Sequence, residues 1–343
     1  MNFTGGGNQV DMSVRELTEK NEHLVLSPNA AFSDSSIGRK VPEEPCPIRT
    51  CYQRDRDRII HCNSFRRLKH KTQVFLSPEG DHYRTRLTHT LEVSQIARTI
   101  AVGLRLNESL TEAISLGHDL GHTPFGHAGE RALNDVHPGG YRHYEQSVRV
   151  CEHLEKGGKG LNLTAEVIDG IKCHTSGVEA QTLEGRIVRL ADKTAYINHD
   201  IDDSVRAGVM CETDIPLEVR KILGENKSQR ITTVICSAIE NSGETISLSP
   251  EIAEAVKELR TFMFDRVYTN PYCKSEESKA DTMIKQLYHY FAENPEALPN
   301  AYEEICFREG ADRAACDYIA GMTDRFAVST FNRLFVPGSW LAY

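Results

Sequence analysis

Apolar residues recur at helical spacing along most of this 343-residue chain, and signals for strands are few. The clearest case lies in residues 87–106, where Val93, Ile96 and Ile100 share one side of a predicted helix. Similar patterns predict helices over residues 52–71, 107–118, 141–156, 163–174, 184–206, 214–242, 250–268, 277–292, 299–307 and 311–334. A short helix followed by an irregular arm is predicted before residue 46. The sequence therefore predicts an all-α protein.

The composition limits the classes of function that this chain can have. Its ten cysteines are scattered without any Cys-x-x-Cys pair, which argues against a zinc ribbon and against a disulfide framework. No apolar run approaches the ~20 residues that span a bilayer, and the N-terminus does not resemble a signal peptide. We therefore expect a cytoplasmic protein without a membrane segment. The net charge of −9 disfavours non-specific nucleic-acid binding.

Residues 117–130 carry three histidines, an aspartate and a glutamate, and glycines and one proline interrupt the segment. His118 and Asp119 are neighbours at the predicted end of a helix, where both side chains can reach one ion. Imidazole and carboxylate form a mixed ligand set that suits Mn, Fe, Ni, Co or Zn better than Ca. The plainer alternative is a polar helix C-terminus whose histidines cap carbonyl groups.

Two more side chains complete a candidate metal site. His89 shares the inward face of the helix predicted over residues 87–106. A single histidine there is more often a hydrogen-bonded core residue, and it becomes a ligand candidate only because a second site needs it. Asp192 lies within an otherwise apolar helical segment, which is costly unless the carboxylate is paired or bound to a cation. Tyr196 and Asp200 follow it at four-residue spacing.

The segment from Arg54 to Arg86 has nine Arg or Lys against four Asp or Glu, a surplus of five positive charges in an acidic chain. Such a surplus indicates either a focused anion site or a solvated helix face. The glycine-rich loop 157–160 lacks both the Gly-Lys-Ser/Thr ending and a preceding strand, so it is no P-loop. Side chains and metal would therefore have to bind any phosphates.

The order His89, His118-Asp119, Asp192 resembles the metal signature of the HD superfamily of phosphohydrolases, and the resemblance extends much further. Six blocks resemble the deoxyguanosinetriphosphate triphosphohydrolase family: residues 54–60, 65–74, 83–89, 117–130, 190–200 and 317–324. The resemblance covers roughly residues 12–335. It implies an HD-domain helical bundle that hydrolyses deoxynucleoside triphosphates (dNTPs), dGTP and others, to deoxynucleoside and inorganic tripolyphosphate. Water would attack the α-phosphorus.

The resemblance also implies roles for particular residues. A divalent metal (Mn, Mg, Fe, Ni, Co or Zn) would be bound by His89, His118, Asp119 and Asp192. The catalytic residues would be His127 and Glu130, with His122 contacting the α-phosphate. The substrate-binding residues would be Arg86 and Lys193 for phosphate, Tyr196 and Asp200 for the sugar, and Gln73 and Val74 near sugar and base. His127 and Glu130 are one helical turn apart, so the carboxylate can orient an imidazole that moves a proton.

Three parts follow from this interpretation: an N-terminal helix and irregular arm (1–45), an HD-domain catalytic core (46–210) and a C-terminal helical region packed on that core (211–343). We expect one continuous globular unit. By resemblance we also expect a homo-oligomer, specifically a hexamer, and some relatives respond to a second, activating dNTP. Two alternatives stay open: an HD-domain nucleotidase or phosphodiesterase that acts on another nucleotide, and a dNTP-binding regulatory protein.

Overall fold

The computed structural model describes residues 12–73, 84–268 and 271–338, without the side chains of residues 268 and 271–275. Its α-helices are α1 (Val14–Val25), α2 (Cys51–Ile60), α3 (Asn63–Arg67), α4 (Arg86–Gly103), α5 (Glu108–Gly117), α6 (Gly126–Val136), α7 (His143–Arg149), α8 (Glu155–Gly158), α9 (Ala165–Cys173), α10 (Leu183–Arg206), α11 (Leu217–Leu223), α12 (Lys227–Asn241), α13 (Pro250–Met263), α14 (Pro271–Glu293), α15 (Glu303–Glu309), α16 (Ala311–Ala320) and α17 (Asp324–Phe335). Within the described residues, extended pairing is limited to two isolated bridges, Arg39 with Thr164 and Thr72 with Thr85. The predicted all-α fold is confirmed.

Four of the predicted helices are each divided into two, and in the one predicted over residues 141–156 a π-helical stretch, Val150–Leu154, joins α7 to α8. The helix predicted over residues 52–71 is interrupted after Ile60, and the one predicted over 311–334 is interrupted before Thr323, whose side chain caps α17. The helix predicted over 214–242 ends at Gly224, where φ is 119° and a Cβ would lie 2.4 Å from Gln229 Cβ. The apolar pattern continues across these breaks because the helices on both sides bury the same face. The pattern therefore does not show where a helix ends, which is decided by local capping residues.

The largest buried core lies between α2, α4, α5, α9 and α10. Its fully buried members include Ile59, Ile100, Ile114, Ile171 and Val188, and each such side chain contributes about 1.5–3 kcal/mol by leaving water. A second core joins α6, α14 and α16, and a third joins the C-terminal half of α10 to α11 and α13. The boundaries predicted at residues 45 and 210 stay a prediction.

Gly121 allows the loop after α5 to lie directly against α7. A Cβ at this position would stand 2.2 Å from the backbone nitrogen of Ser147, so any larger residue would push the two segments apart. The Ser147 hydroxyl accepts from Gly121 N at 2.9 Å and donates to His118 O at 2.7 Å. This contact fixes the loop that carries the candidate site. Among the described helices, none is long and apolar enough to cross a membrane.

Candidate metal centre and active site

The four predicted metal ligands meet at one place, although they come from three separate parts of the chain. His89 lies on α4, His118 and Asp119 directly follow α5, and Asp192 lies in the middle of α10. His89 Nε2 is 3.1 Å from Asp192 Oδ1, and His118 Nε2 is 3.4 Å from Asp119 Oδ1 and 3.8 Å from Asp192 Oδ1. Packing of α4 and α5 against α10 therefore brings the predicted ligands together.

His118 points an unprotonated nitrogen into this centre. Its Nδ1 lies 2.7 Å from the Ser115 carbonyl oxygen, which can only accept, so Nδ1 carries the proton. Its Nε2 is fully buried and has no hydrogen-bond partner among the described residues. A buried acceptor left in this way is costly, and a cation satisfies it.

The two carboxylates of the centre remain ionised in spite of burial. Burial alone would raise the pKa of Asp119, but the adjacent His118 and His122 imidazoles and the Arg86 guanidinium hold it well below its usual value. Arg86 is itself buried, and its Nη1 donates to Asp119 Oδ2 at 2.8 Å. The pKa of Asp192 is likewise lowered, against the effect of burial, by its close contact with His89 and by the nearby imidazole of His118.

Two further residues behind His89 orient it. His199 Nδ1 lies 3.1 Å from His89 Nδ1, and His199 Nε2 contacts a carboxylate oxygen of Glu92. Burial would raise the pKa of Glu92, but the His199 bond and the charges of His199, Arg84 and Lys227 lower it to about 2. The ionised Glu92 accepts a hydrogen bond from His199 Nε2–H, and His199 Nδ1 then accepts one from His89 Nδ1–H. This leaves the His89 Nε2 lone pair directed toward Asp192.

The donor set fits a divalent transition metal. His89, His118 and Asp119 offer one ligand atom each within 4.8 Å of one another, and so do His118, His174 and Asp192. Two neutral imidazoles and two ionised carboxylates are the mixed N/O set expected for Mn, Fe, Co, Ni or Zn. The unpartnered His118 nitrogen and the relay behind His89 both prepare lone pairs for a cation, so the residues present could hold one.

The predicted catalytic pair lies beside this centre, at the start of α6. His127 is about half exposed, and its Nδ1 lies 3.3 Å from Glu130 Oε2. Glu130 also accepts from the backbone N and Nδ1 of His143, both at 2.9 Å. Burial would raise the pKa of Glu130, but the bonds from His127 and His143 hold it far below its usual value. The carboxylate therefore orients two imidazoles rather than one.

His122 lies between the metal centre and His127. Its ring stacks on His143 with 4.0 Å between ring centroids, and its Nε2 is 3.4 Å from Asp119 Oδ1. Burial and the nearby charges of Arg86 and His143 hold the pKa of His122 well below its usual value, so its ring is neutral. A neutral imidazole in this place can donate one hydrogen bond to an oxygen next to the metal.

The loop before α6 is held in an unusual backbone conformation. Phe125 has φ of 62°, in the left-handed region that a bulky residue seldom adopts, and its N–H donates to Asp324 Oδ1 at 3.0 Å. Asp324 Oδ2 also accepts from the backbone N of Thr72 at 2.9 Å. One carboxylate from α17 therefore ties together the two segments that flank the site, which explains why such a strained residue persists.

The predicted substrate-binding residues are only partly described. Gln73 is buried, and its backbone oxygen would be 2.7 Å from a Cβ placed at Gly126, while Val74 lies outside the described residues. Lys193 is exposed on α10 next to Asp192. Further along α10, Tyr196 is half-buried with its ring 6.0 Å from that of His127, and Asp200 is fully buried. Asp200 is therefore not a solvated residue on the helix surface.

Most of the basic segment serves the fold instead of forming an anion site. Arg54 and Arg58 both pair with Glu43, and Arg56 pairs with Asp57 and Glu112. Lys71 is buried, and its ammonium donates to the carbonyl oxygens of His122 and Ala320. Within residues 54–73 and 84–86, Arg86 is the one basic side chain seen bonded to a predicted metal ligand. Most of these side chains therefore fit neither of the two interpretations of the charge surplus, because Glu43, Asp57, Glu112 and backbone carbonyl oxygens already pair with them.

Sequence reasoning missed two histidines of the site, His143 and His174. His143 begins α7, and its ring stacks on that of His122. His174 directly follows α9, and its ring packs against that of His118. Both histidines are buried. Burial and the charges of His118 and His143 lower the pKa of His174 to about 3. Each stands as a single histidine near one end of a predicted helix, His143 near the start and His174 at the finish, so no local spacing marked it. Their surroundings carry no local signal for a ligand: His143 begins the polar stretch His143–Arg149, and His174 follows a helix that also contains Glu166, Asp169 and Lys172.

Comparison with known proteins agrees with this geometry. A family model for the HD domain matches residues 86–197, which include all four predicted metal ligands, and one for a phosphohydrolase-associated domain matches residues 246–333. A deoxyguanosinetriphosphate triphosphohydrolase-like protein of Caldanaerobacter subterraneus subsp. tengcongensis is 55% identical over 331 residues, which is 96% of this chain and 98% of the relative.

Other relatives with the same description support the same assignment. The protein of Clostridium perfringens strain 13 is 52% identical over 337 residues, covering 95% of this chain and 98% of its own. The protein of Geobacter metallireducens is 40% identical over 371 residues, which cover 92% of this chain and 96% of the relative. Identity of this level along nearly the whole length means that the chain belongs to the deoxyguanosinetriphosphate triphosphohydrolase-like family of HD-domain phosphohydrolases.

Proposed function

We propose that this protein is a metal-dependent dNTP triphosphohydrolase, which converts dGTP or another dNTP to deoxynucleoside and inorganic tripolyphosphate. The observation that carries the proposal is the close placement of the His89, His118, Asp119 and Asp192 centre beside the His127–Glu130 pair. A divalent ion held in the centre supplies a Lewis acid that activates water and neutralises phosphate charge. The protein side chains supply the remaining functions.

In this proposal His127 is the group that moves the proton. Its Nδ1 faces the ionised Glu130, so Nε2 is free to accept a proton from the attacking water or return one to the leaving oxygen. Half exposure lets the ring reach a nucleotide entering from solvent. His122, neutral and buried next to Asp119, donates to an α-phosphate oxygen and holds the phosphorus in line.

Positive side chains and α10 place the rest of the nucleotide. Arg86 and Lys193 flank the two aspartates and bind phosphate oxygens. Tyr196 and Asp200 lie one and two turns beyond Asp192, about 6 Å further per turn, where the sugar of a nucleotide bound by its α-phosphate falls. Asp200 accepts the 3′-hydroxyl bond, and the Tyr196 ring closes the space of a 2′-hydroxyl. By the family resemblance, Gln73 and Val74 would contact the sugar and base.

The sugar assignment predicts preference for deoxyribose. A ribonucleotide would bury its 2′-hydroxyl against the Tyr196 ring without a partner, at a cost of about 1–3 kcal/mol, or roughly 5- to 150-fold in kcat/KM. Tyr196→Ala should raise GTP hydrolysis relative to dGTP, while Asp200→Ala should weaken both substrates. Equal hydrolysis of GTP and dGTP by the wild-type protein would contradict the assignment.

The experiment that tests the function is a panel of four NTPs and four dNTPs with Mn²⁺ or Mg²⁺, with the products resolved by chromatography. We expect deoxynucleoside and tripolyphosphate, and in labelled water the oxygen-18 should enter the tripolyphosphate. Label in orthophosphate with dNDP as co-product would favour a nucleotidase, and hydrolysis of a cyclic nucleotide would favour a phosphodiesterase. Tight dNTP binding without turnover would favour a regulatory protein.

Assembly and regulation are proposed on the resemblance alone. We expect a homo-oligomer, a hexamer in particular, which light scattering on the purified protein would measure. An activating dNTP would appear as faster hydrolysis of one dNTP when a second, poorly hydrolysed dNTP is added. The cytoplasmic location stays a prediction.

A further inference from the structure

The turn between α16 and α17 lies against the candidate active site, although it carries none of the predicted metal ligands or substrate-binding residues. It runs from Ala320, the last residue of α16, to Asp324, the first residue of α17. Both of these residues are buried, with 3% and 4% of their surface exposed. The turn falls within the region that matches the phosphohydrolase-associated model. Its two ends each bond to a segment that carries site residues.

The Asp324 carboxylate accepts hydrogen bonds from two separate segments of the site. Its Oδ1 accepts from Phe125 N at 3.0 Å, and its Oδ2 accepts from Thr72 N at 2.9 Å and from Thr72 Oγ1 at 2.5 Å. Phe125 is the N-cap residue of α6, two residues before His127, and Thr72 directly precedes Gln73. Because each oxygen bonds one segment, the carboxylate fixes the distance between them.

The other end of the turn is bonded to the site through Lys71. Its Nζ donates to the carbonyl oxygens of His122 and Ala320, the second at 2.8 Å. Lys71 is 2% exposed, so its amino group depends on these carbonyls instead of water. Its own carbonyl oxygen accepts from Arg86 N at 3.0 Å. Lys71 thus connects the turn to His122 and to the start of α4.

The two halves of the loop between α5 and α6 are held by different parts of the chain. In the first half (residues 118–121), Gly121 N donates to Ser147 Oγ at 2.9 Å, and Gly121 O accepts from Tyr141 OH at 2.5 Å. In the second half (residues 122–125), the N–H of the strained Phe125 donates to Asp324 instead. Such a backbone conformation persists only where surrounding contacts hold it. The C-terminal region supplies that contact.

We propose that Asp324 and Lys71 are positioning residues, through which the α16–α17 turn holds the second half of this loop in the geometry needed for turnover. The imidazoles that act on the substrate in the proposed function, His122 and His127, lie in that half and directly after it. A displacement of about 1 Å at a catalytic group can cost about 100-fold in rate. The effect on turnover rests on the proposed function, whereas the effect on the loop does not.

Asp55 on α2 provides a matched control. It is a fully buried carboxylate whose Oδ2 accepts from Thr164 N at 2.8 Å and from Thr164 Oγ1 at 2.7 Å, the same arrangement that joins Asp324 to Thr72. It also pairs with Arg39, so Asp55→Asn should destabilise the protein at least as much as Asp324→Asn. The control therefore separates a loss of stability from a loss of positioning.

The kinetic test compares full-length wild type, Asp324→Asn, Lys71→Met and Asp55→Asn with Mn²⁺ and the best dNTP substrate, at a temperature where melting curves show all four folded. We expect kcat to fall by about 10–100-fold in Asp324→Asn and Lys71→Met, while KM and Mn²⁺ content change little. Asp55→Asn should keep the wild-type kcat. Wild-type kcat in Asp324→Asn, or an equal loss in Asp55→Asn, would overturn the proposal.

Amide hydrogen exchange measures the positioning without an activity assay. In Asp324→Asn the Thr72 and Phe125 amides should exchange about tenfold faster, whereas the Gly121 amide, which is bonded to Ser147, should keep its rate. Asp55→Asn should leave all three unchanged. Unchanged exchange at Phe125 in Asp324→Asn would overturn the proposal. In the wild type, exchange of Thr72 or Phe125 at the rate of an unfolded peptide would overturn it whether or not the variants fold.

The two measurements separate this proposal from the proposed function. Faster exchange at Phe125 in Asp324→Asn, in a protein that does not hydrolyse dNTPs, would keep the positioning role and reject the triphosphohydrolase. Full dNTP hydrolysis by both the wild type and Asp324→Asn would do the reverse.

Discussion

Two buried carboxylates, Asp317 and Asp119, stand in opposite situations. Asp317 on α16 accepts from Gln146 Nε2 at 2.8 Å, from Arg149 Nη2 at 2.7 Å and from Arg313 Nε at 3.1 Å. Asp119 accepts one charged hydrogen bond, from Arg86, and otherwise faces imidazole nitrogens 3.4–4.0 Å away. Both side chains are nearly inaccessible to water.

The difference separates a structural cluster from a site. Around Asp317 two guanidiniums and an amide satisfy both oxygens, so the cluster is closed and joins α7 to α16. Around Asp119 the nitrogens of His118 and His122 include buried atoms without a partner among the described residues. Buried polar groups are normally satisfied, so an open set marks a place where another ion or molecule binds. The following predictions test this contrast.

The largest effect is expected for Asp119→Ala. The change removes one carboxylate of the metal centre and leaves Arg86 buried without its partner, so dNTP turnover should fall to background and Mn²⁺ content should fall. Elemental analysis and the chromatographic assay measure both. Full activity with unchanged metal would rule the assignment out.

His127→Ala should lower kcat by about 10²–10⁴-fold, as expected for a general acid–base residue. Mn²⁺ content should be unchanged, because His127 lies outside the ligand set. Arg131→Ala, an exposed neighbour on α6, serves as the control and should keep its turnover. Loss of metal in His127→Ala would instead make His127 a ligand.

Asp317→Ala should act on stability and leave the site intact. Two largely buried guanidiniums would lose their carboxylate, which costs about 3–5 kcal/mol of unfolding free energy. Denaturant melts measure the loss, and metal content per folded chain should stay the same. Glu309→Ala removes an exposed partner of the same Arg149 and should cost less than about 1 kcal/mol. Equal costs would mean that the Asp317 cluster is not the structural link proposed.

The smallest effect is expected for Glu92→Ala, because Glu92 acts on the candidate metal ligand His89 only through His199. Without the carboxylate, His199 no longer holds the Nδ1 proton of His89 in place, and Mn²⁺ affinity should weaken by about 10–100-fold. Calorimetry measures the affinity. Glu108→Ala, which breaks an exposed pair with Arg98, is the control. Unchanged affinity in Glu92→Ala would show that packing alone orients His89.

The local pattern predicted the helices well and their ends poorly. Periodic apolar residues predicted α4, α5, α9 and α10, since each buries one face against the same core. The breaks at Gly224 and Thr323 were missed because capping and glycine conformation act over two or three residues inside a continuing apolar pattern.

Sequence by itself determined the chemistry of the candidate metal centre: the His118-Asp119 pair and an Asp192 in an apolar helix are unusual locally, and the inward His89 becomes a ligand candidate beside them. Only the tertiary structure decided which other groups join them. His143 and His174 reach the centre because α7 and α9 pack beside the loop after α5, and the charges of residues 54–58 are taken up by Glu43, Asp57 and Glu112. Contacts between distant segments carry no local spacing, so burial, proton direction and pairing of these side chains follow from the fold.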